Sequence, residues 1–219
     1  MYIEIDNVEL SYSTEVLLKG IYLKAETGKI TSILGTNGCG KSSLLKVIFG
    51  SLNPHHKLIR INNKPHLKPL YTYKGIVKYL PQDPFIPTHL KLKTVFKVFG
   101  VSWEDFVADF SNHSGYQNYN VNELSGGERR IVEIYLILKS KAEILLLDEP
   151  FTHLAPIYIE QFKKLLKAEA RTKAIILTDH LYQHIIDLAD DLYLIKNGCT
   201  KLVKDPRELE DQQYLITGS

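Results

Sequence analysis

The sequence predicts an α/β fold: a parallel-sheet core with helices on both faces, an antiparallel β edge and an inserted α-helical subdomain. Three observations predict it. Short apolar runs at residues 30–34, 144–147, 174–177 and 192–195 read as buried strands. They alternate with segments whose apolar residues fall at helical spacing, such as Ile131, Ile134, Tyr135 and Leu138, and such alternation builds a parallel sheet covered on both sides. Residues 84–122 show no strand pattern, which sets them apart as a helical insert.

The elements follow in order. Ile3, Ile5, Val8 and Leu10 alternate with polar residues, and residues 17–25 do so again, predicting paired strands near one edge. Thr27-Gly28-Lys29 is a turn. Residues 30–34 end in a glycine-rich loop, after which Leu44, Leu45, Val47 and Ile48 lie at helical spacing: strand, loop, helix. Residues 53–73 are rich in Lys, His, Asn and Pro, with a small strand at 58–61, and a further strand at 76–80 is stopped by Pro81. Val95, Phe96, Phe99, Trp103, Phe106, Val107 and Phe110 predict short helices. A helix follows Ser125, then a strand at 144–147, a helix at 156–168, a strand at 174–177, a helix at 181–188 and a strand at 192–195. The tail from Asp205 has room for a terminal helix. The predicted organisation is one domain over residues 1–219, with a core and β subdomain from 1–83 and 124–219 and the helical subdomain from 84–123.

A chain of 219 residues with 44% apolar side chains buries a full core as one domain. The formal net charge of +2 comes from nearly balanced acids and bases, so no nucleic-acid-binding field is expected. The apolar runs are far below the roughly 20 residues of a membrane span. No signal-peptide pattern is read at Met1 to Asp6, and Cys39 and Cys199 make no disulfide framework, so a cytoplasmic location is expected.

Gly35-Thr36-Asn37-Gly38-Cys39-Gly40-Lys41-Ser42 satisfies G-x-x-x-x-G-K-[ST] and lies between a predicted strand and a predicted helix. Glycines let backbone N–H groups converge on phosphates, the helix start adds its positive dipole end, Lys41 supplies charge and Ser42 can ligate Mg²⁺. Nucleotide-phosphate contacts are therefore expected from these eight residues and the adjoining Ser43, although the loop alone leaves kinases, GTPases and other motors open. Cys39, near a helix start, is either a thiol of lowered pKa or a small residue that fits the loop. The run 144–147 delivers Asp148 and Glu149 at the carboxyl end of a strand, the edge where open α/β sheets bind ligands. Asp148 can hold a magnesium hydration shell, through water, and Glu149 can orient the attacking water. Ser125-Gly126-Gly127-Glu128 opens a helix and forms a second anion site. An ordinary Ser cap explains Ser125 alone, but two glycines weaken a helix start unless something approaches the backbone closely.

Leu124 to Glu128 resembles the signature motif of ATP-binding-cassette (ABC) proteins. With the phosphate loop and residues 144–149, the resemblance to ABC nucleotide-binding domains covers essentially the whole chain. It implies a RecA-like P-loop NTPase core and ATP hydrolysis with Mg²⁺. It also implies a head-to-tail pair of cassettes in which Ser125, Gly126, Gly127 and Glu128 of one chain close over the ATP of the other. A homodimer is the simplest arrangement and a heterodimer the alternative. Residue by residue, Gln82 matches the Q-loop glutamine that contacts Mg²⁺ and senses a membrane partner. Tyr12 matches the aromatic that stacks on adenine, Val16 lies beneath the ribose, and His180 matches the switch histidine at the γ-phosphate. Lys41, Glu149 and His180 are thus the expected catalytic residues, with Ser42, Gln82 and Asp148 at the metal.

One position departs from the family. Thr152-His153-Leu154-Ala155 puts Ala155 where a Ser-x-Leu-Asp loop has its aspartate, so communication between paired sites is expected to be weaker or rewired. The resemblance implies the ATPase subunit of a transporter, docked on separate integral membrane subunits at the cytoplasmic face, with Thr178-Asp179-His180 and Asp191-Leu192-Tyr193 similar to lipopolysaccharide-export ATPases. The alternative is a non-transport ABC ATPase of the cluster-assembly kind.

Overall fold

Ten strands, among the described residues, divide between two sheets in the computed structural model, which describes residues 1–13, 15–179, 182–205 and 209. In chain order the elements are β1 (Tyr2–Tyr12), β2 (Glu15–Glu26), β3 (Ile30–Leu34), α1 (Lys41–Phe49), β4 (His56–Ile61), β5 (Lys64–Pro65), β6 (Val77–Leu80), α2 (Leu92–Phe99) and α3 (Trp103–Asp109). They continue with α4 (Gly126–Lys139), β7 (Ile144–Asp148), α5 (Pro156–Ala170), β8 (Ala174–Thr178), α6 (Tyr182–Ile186), β9 (Asp191–Lys196) and β10 (Cys199–Val203). The terminal helix expected after Asp205 falls almost wholly outside the described residues.

The larger sheet has the order β10-β9-β3-β8-β7-β6, with β9 through β6 parallel and β10 antiparallel at the edge. Every residue of β3, β7 and β8 is buried, as strands covered on both faces require. Alternation along β7 sorts the core: Ile144 and Leu146 join the cluster formed with α1 and the smaller sheet, whereas Leu145 and Leu147 join the cluster formed with α4 and α5. The carboxyl ends of β3, β6, β7 and β8 therefore share one edge, and that edge carries Gly35, Gln82, Asp148, Glu149 and Asp179.

The expected antiparallel β edge is present, with β1 and β2 paired antiparallel, and it forms a layer of its own. β1 and β2 do not extend the parallel sheet; they form a separate four-stranded sheet, β2-β1-β4-β5. β1, β2 and β4 each have one apolar face, which packs on α1 and the main sheet. The apolar spacing in β1 slips from two to three between Ile5 and Val8, and the ladder shows a register shift there with Asn7 at φ 50°. That bulge keeps Val8 inward. The β9–β10 hairpin is the part that the sequence reading did not include. Its Asn197-Gly198 turn, with both φ values positive (51° and 76°), is the strongest short hairpin signal a sequence offers.

Between β6 and α4 lie α2, α3 and two 3₁₀ segments, Ser111–Asn118 and Val121–Glu123. The aromatic residues that predicted helices here make a ring cluster. Phe96, Phe106 and Phe110 pack on Tyr135 of α4, Trp103 packs on Phe96 and Phe106, and Phe110 also packs on Phe162 of α5. The insert is thus fastened to α4 and α5 by apolar burial.

Candidate functional site

The phosphate loop runs from the end of β3 into α1. Gly40 adopts φ 103°, and a Cβ there would meet Leu18 Cδ2 at 2.8 Å, so only glycine suits the turn. Gly40 also caps α1 without a side chain, leaving first-turn N–H groups free of a side-chain acceptor. Lys41 is buried, and its Nζ donates to the carbonyls of Gly35 at 2.7 Å and Thr36 at 3.2 Å. A cation thus sits beneath a loop of amide donors. Of the two readings of Cys39, the structure takes the second: burial pushes its thiol up, outweighing the opposing pull of Lys41. Its Sγ occupies space that a Cβ on Gly35 would invade.

Asp148, at the end of β7, is buried with three hydroxyl partners. Its Oδ1 accepts from Ser42 Oγ and Thr178 Oγ1, both at 2.9 Å, and its Oδ2 accepts from Tyr79 OH at 2.9 Å. Burial first, then the adjacent carboxylate, drives the Tyr79 phenol well above its ordinary pKa, so it remains a donor. Nothing in the sequence pattern marked Tyr79, whose partner arrives from another strand. Tyr79→Phe removes a hydrogen bond to a charged group and is expected to lower unfolding free energy by about 1.5–3 kcal/mol in a denaturant titration.

Glu149 sits at φ 45°, a conformation that costs of order 1–3 kcal/mol and persists only when the surroundings enforce it. They do. Its N–H donates to the Thr178 carbonyl at 2.9 Å, and its own carbonyl accepts from Arg130 Nη2 at 2.8 Å. The Glu149 carboxylate in turn accepts from Gln82 Nε2 at 2.9 Å and, more loosely, from Thr152 Oγ1 at 3.5 Å.

A pocket of about 580 Å³ brings together Asn37, Gly38, Gly40, Lys41, Ser42, Ser43, Gln82 and Glu149 from the sequence-predicted set. The hairpin of β1 and β2 contributes Leu17 to its wall, while Tyr12 and Val16 lie exposed at the same hairpin end, 52% and 58% accessible. Thr152 and His153, which the sequence did not single out, line it as well. His180 lies outside the described residues.

Ser125 to Glu128 do not border this pocket. They begin α4 with a capping box: Ser125 Oγ accepts from Glu128 N–H at 3.3 Å and Glu128 Oε2 from Ser125 N–H at 2.8 Å. Ser125 and Glu128 are thereby explained within the chain. Gly126 is not, because a Cβ there meets nothing within 4 Å. Ala155 occupies the start of α5 and supplies no side-chain cap.

The residues expected at a metal fit Mg²⁺ as a donor set. All offer oxygen; Ser42 gives its proton to Asp148 and keeps its lone pairs, and Gln82 gives an N–H to Glu149 and keeps its amide oxygen.

The sequence model of the family described as ABC transporter matches residues 18–152, well over half of the chain. The chain belongs to this family. The expectation of an ATP-hydrolysing ABC nucleotide-binding domain agrees with that membership. Among its relatives is the spermidine/putrescine import ATP-binding protein PotA of Mycoplasma capricolum, 28% identical over 96% of this chain. This chain spans only 63% of that relative's length. The lipopolysaccharide export system ATP-binding protein LptB of Acidithiobacillus ferridurans is 25% identical over 92% of this chain and 89% of its own. A solved ATP-binding subunit of an ABC transporter superposes with a TM-score of 0.83, 21% identity and coverage of 100% of this chain and 96% of that one, which shows the ABC ATPase fold. No helix among the described residues is long and apolar enough to cross a membrane.

Proposed function

We propose that this ABC chain binds MgATP in the pocket at the strand ends and hydrolyses it as the motor of a transporter. The observation that supports this most is convergence: a buried lysine, a glycine loop, a hydroxyl on Asp148 and the Gln82–Glu149 pair meet around one pocket of about 580 Å³. In this reading the first-turn amides of α1 and Lys41 hold the β- and γ-phosphates. Ser42 and Gln82 would hold Mg²⁺, with Asp148 acting through its water; the ion supplies charge neutralisation on the phosphate oxygens. Glu149 orients the water in line with the γ-phosphate, and His180 closes the far side. Tyr12 stacks on the adenine and Val16 lies under the ribose.

We assign residues 84–123 as a helical subdomain and 1–83 with 124–219 as the RecA-like core. Two chains pair head to tail, so that Ser125 to Glu128 of one complete the site of the other. The open space at Gly126 supports this, since a glycine costing roughly 1 kcal/mol of helix propensity has no reason inside its own chain. Closure on ATP and reopening after hydrolysis would drive separate membrane subunits at the cytoplasmic face. Ala155 makes the link between the paired sites weaker than an aspartate would, or rewires it.

Phosphate release from the purified chain, with and without Mg²⁺, tests the ATPase, and co-purification of an integral membrane protein tests the transport role. Activity without Mg²⁺, or none with it, contradicts the first. Gly126→Val separates fold from pairing: the melting temperature is expected to hold, while ATP turnover falls about tenfold or more as the approach to the backbone is blocked. Full turnover in that variant would refute the trans contact.

A further inference from the structure

Both ends of the loop that carries Gln82 are held by one helix. At the near end Arg130 of α4 donates from Nη1 to the Pro81 carbonyl at 2.8 Å, while its Nη2 reaches the carbonyls of Asp148 at 3.0 Å and Glu149 at 2.8 Å. At the far end Glu133, one turn further along α4, accepts on Oε1 from the Phe85 N–H at 3.0 Å and the Ile86 N–H at 3.3 Å. The same oxygen takes Arg129 Nε at 3.1 Å, and the Arg129 guanidinium also donates to the Ile86 carbonyl. Glu133 Oε2 has no hydrogen-bond partner among the described residues and lies 3.9 Å from Arg130 Nη1.

Between these tethers the loop has little else to place it. Gln82, Asp83 and Pro84 are exposed, and they overlie a cavity of about 230 Å³ walled by Arg129, Arg130 and Glu133. Packing does not set their position; the hydrogen bonds at the two ends do. Glu133 is 1% exposed, and a carboxylate so deep is costly unless donors surround it. An apolar side chain would fill the site more cheaply if filling were its only task.

We propose that Glu133 is a positioning residue for ATP hydrolysis: through the Phe85 and Ile86 amides it holds Gln82 against Glu149 and ties that contact to the helix that begins at Ser125. The proposal rests on the reading of this pocket as the hydrolytic site. Glu133 lies about two helical turns from Ser125, and a helix moves as a rigid rod over that length. When a partner engages Gly126, the shift of α4 reaches Gln82 through Glu133 and reaches Glu149 through Arg130. One chain's two half-sites, the pocket it owns and the motif it lends, are thereby mechanically joined.

Steady-state kinetics on the full chain test this. Glu133→Ala is expected to lower kcat about tenfold with KM for ATP within about twofold. Glu133→Gln, whose amide oxygen still accepts from both N–H groups, retains most of the rate. Glu133→Asp keeps the charge but withdraws the oxygen, and loses about fivefold in kcat; it serves alone if the alanine variant does not fold. Adding Gln82→Ala to either slow variant is expected to cost less than Gln82→Ala costs by itself, because the glutamine is already displaced. Unchanged kcat in both variants, or strictly additive losses, overturns the proposal. A wild-type chain without ATPase activity would instead defeat the functional reading. The clamp then stands or falls on amide exchange at Phe85 and Ile86, expected slow in the wild type and faster in the Ala or Asp variant; equal exchange overturns it.

Discussion

Glu149→Gln is expected to bind MgATP as the wild type does while hydrolysing it about 10²- to 10⁴-fold more slowly, the range a positioned general base contributes. The substitution is nearly isosteric. The Glu149 backbone, bent to φ 45° and held by Thr178 and Arg130, does not depend on the carboxylate charge. An amide oxygen still accepts from Gln82 Nε2, which meets the present oxygen at 2.9 Å. What disappears is the negative charge that polarises water. With hydrolysis blocked, ATP persists and the paired form accumulates, so size-exclusion chromatography with ATP is expected to show a species of twice the mass. A variant that turns over normally, or that stays monomeric with ATP bound, would contradict the assignment of Glu149 or the pairing respectively.

The second large effect concerns Lys41. Lys41→Ala removes the buried cation and leaves the Gly35 and Thr36 carbonyls without their donor. Loss of one preorganised charge at developing phosphate charge is expected to lower kcat/KM about 10²- to 10³-fold. Lys41→Arg is not expected to rescue it, because a planar guanidinium cannot occupy the narrow space of a compact ammonium that is 5% exposed. Nucleotide affinity by calorimetry and phosphate release are the two measurements. Glu149→Gln should move only the second, and Lys41→Ala both.

How much of this was legible in the chain depended on whether a residue's partners are near in sequence. The phosphate loop could be read because strand, glycines, lysine and helix are consecutive. Ser125 and Glu128 could be read because a capping box spans four residues. The β9–β10 hairpin is equally local, marked by Asn197-Gly198. By contrast, Tyr79, Arg130 and Glu133 look like ordinary strand and helix residues. Arg129, Arg130 and Glu133 invite the reading of a solvated ion-paired helix face, at spacings of three and four. Arg130 and Glu133 are buried instead and Arg129 is half-buried, facing loop carbonyls and amides 43 to 49 residues away, and nothing local announces that.

The same division holds for the fold. Alternation in β1 and β2 determined that they are strands with one apolar face, but not which layer that face would meet; α1 and the smaller sheet's own neighbours decided it. The sequence by itself determined the α/β class, the phosphate-binding loop, the acidic pair at the end of β7 and the family, because each is written in contiguous residues whose period or spacing follows from backbone geometry. Only the tertiary structure decided that Asp148 shares three hydroxyls, that Gln82 touches Glu149, and that α4 grips both ends of the loop that carries Gln82. Those contacts join strands and helices far apart in the chain, and they exist only after burial makes an unpaired carboxylate or guanidinium too costly to leave alone.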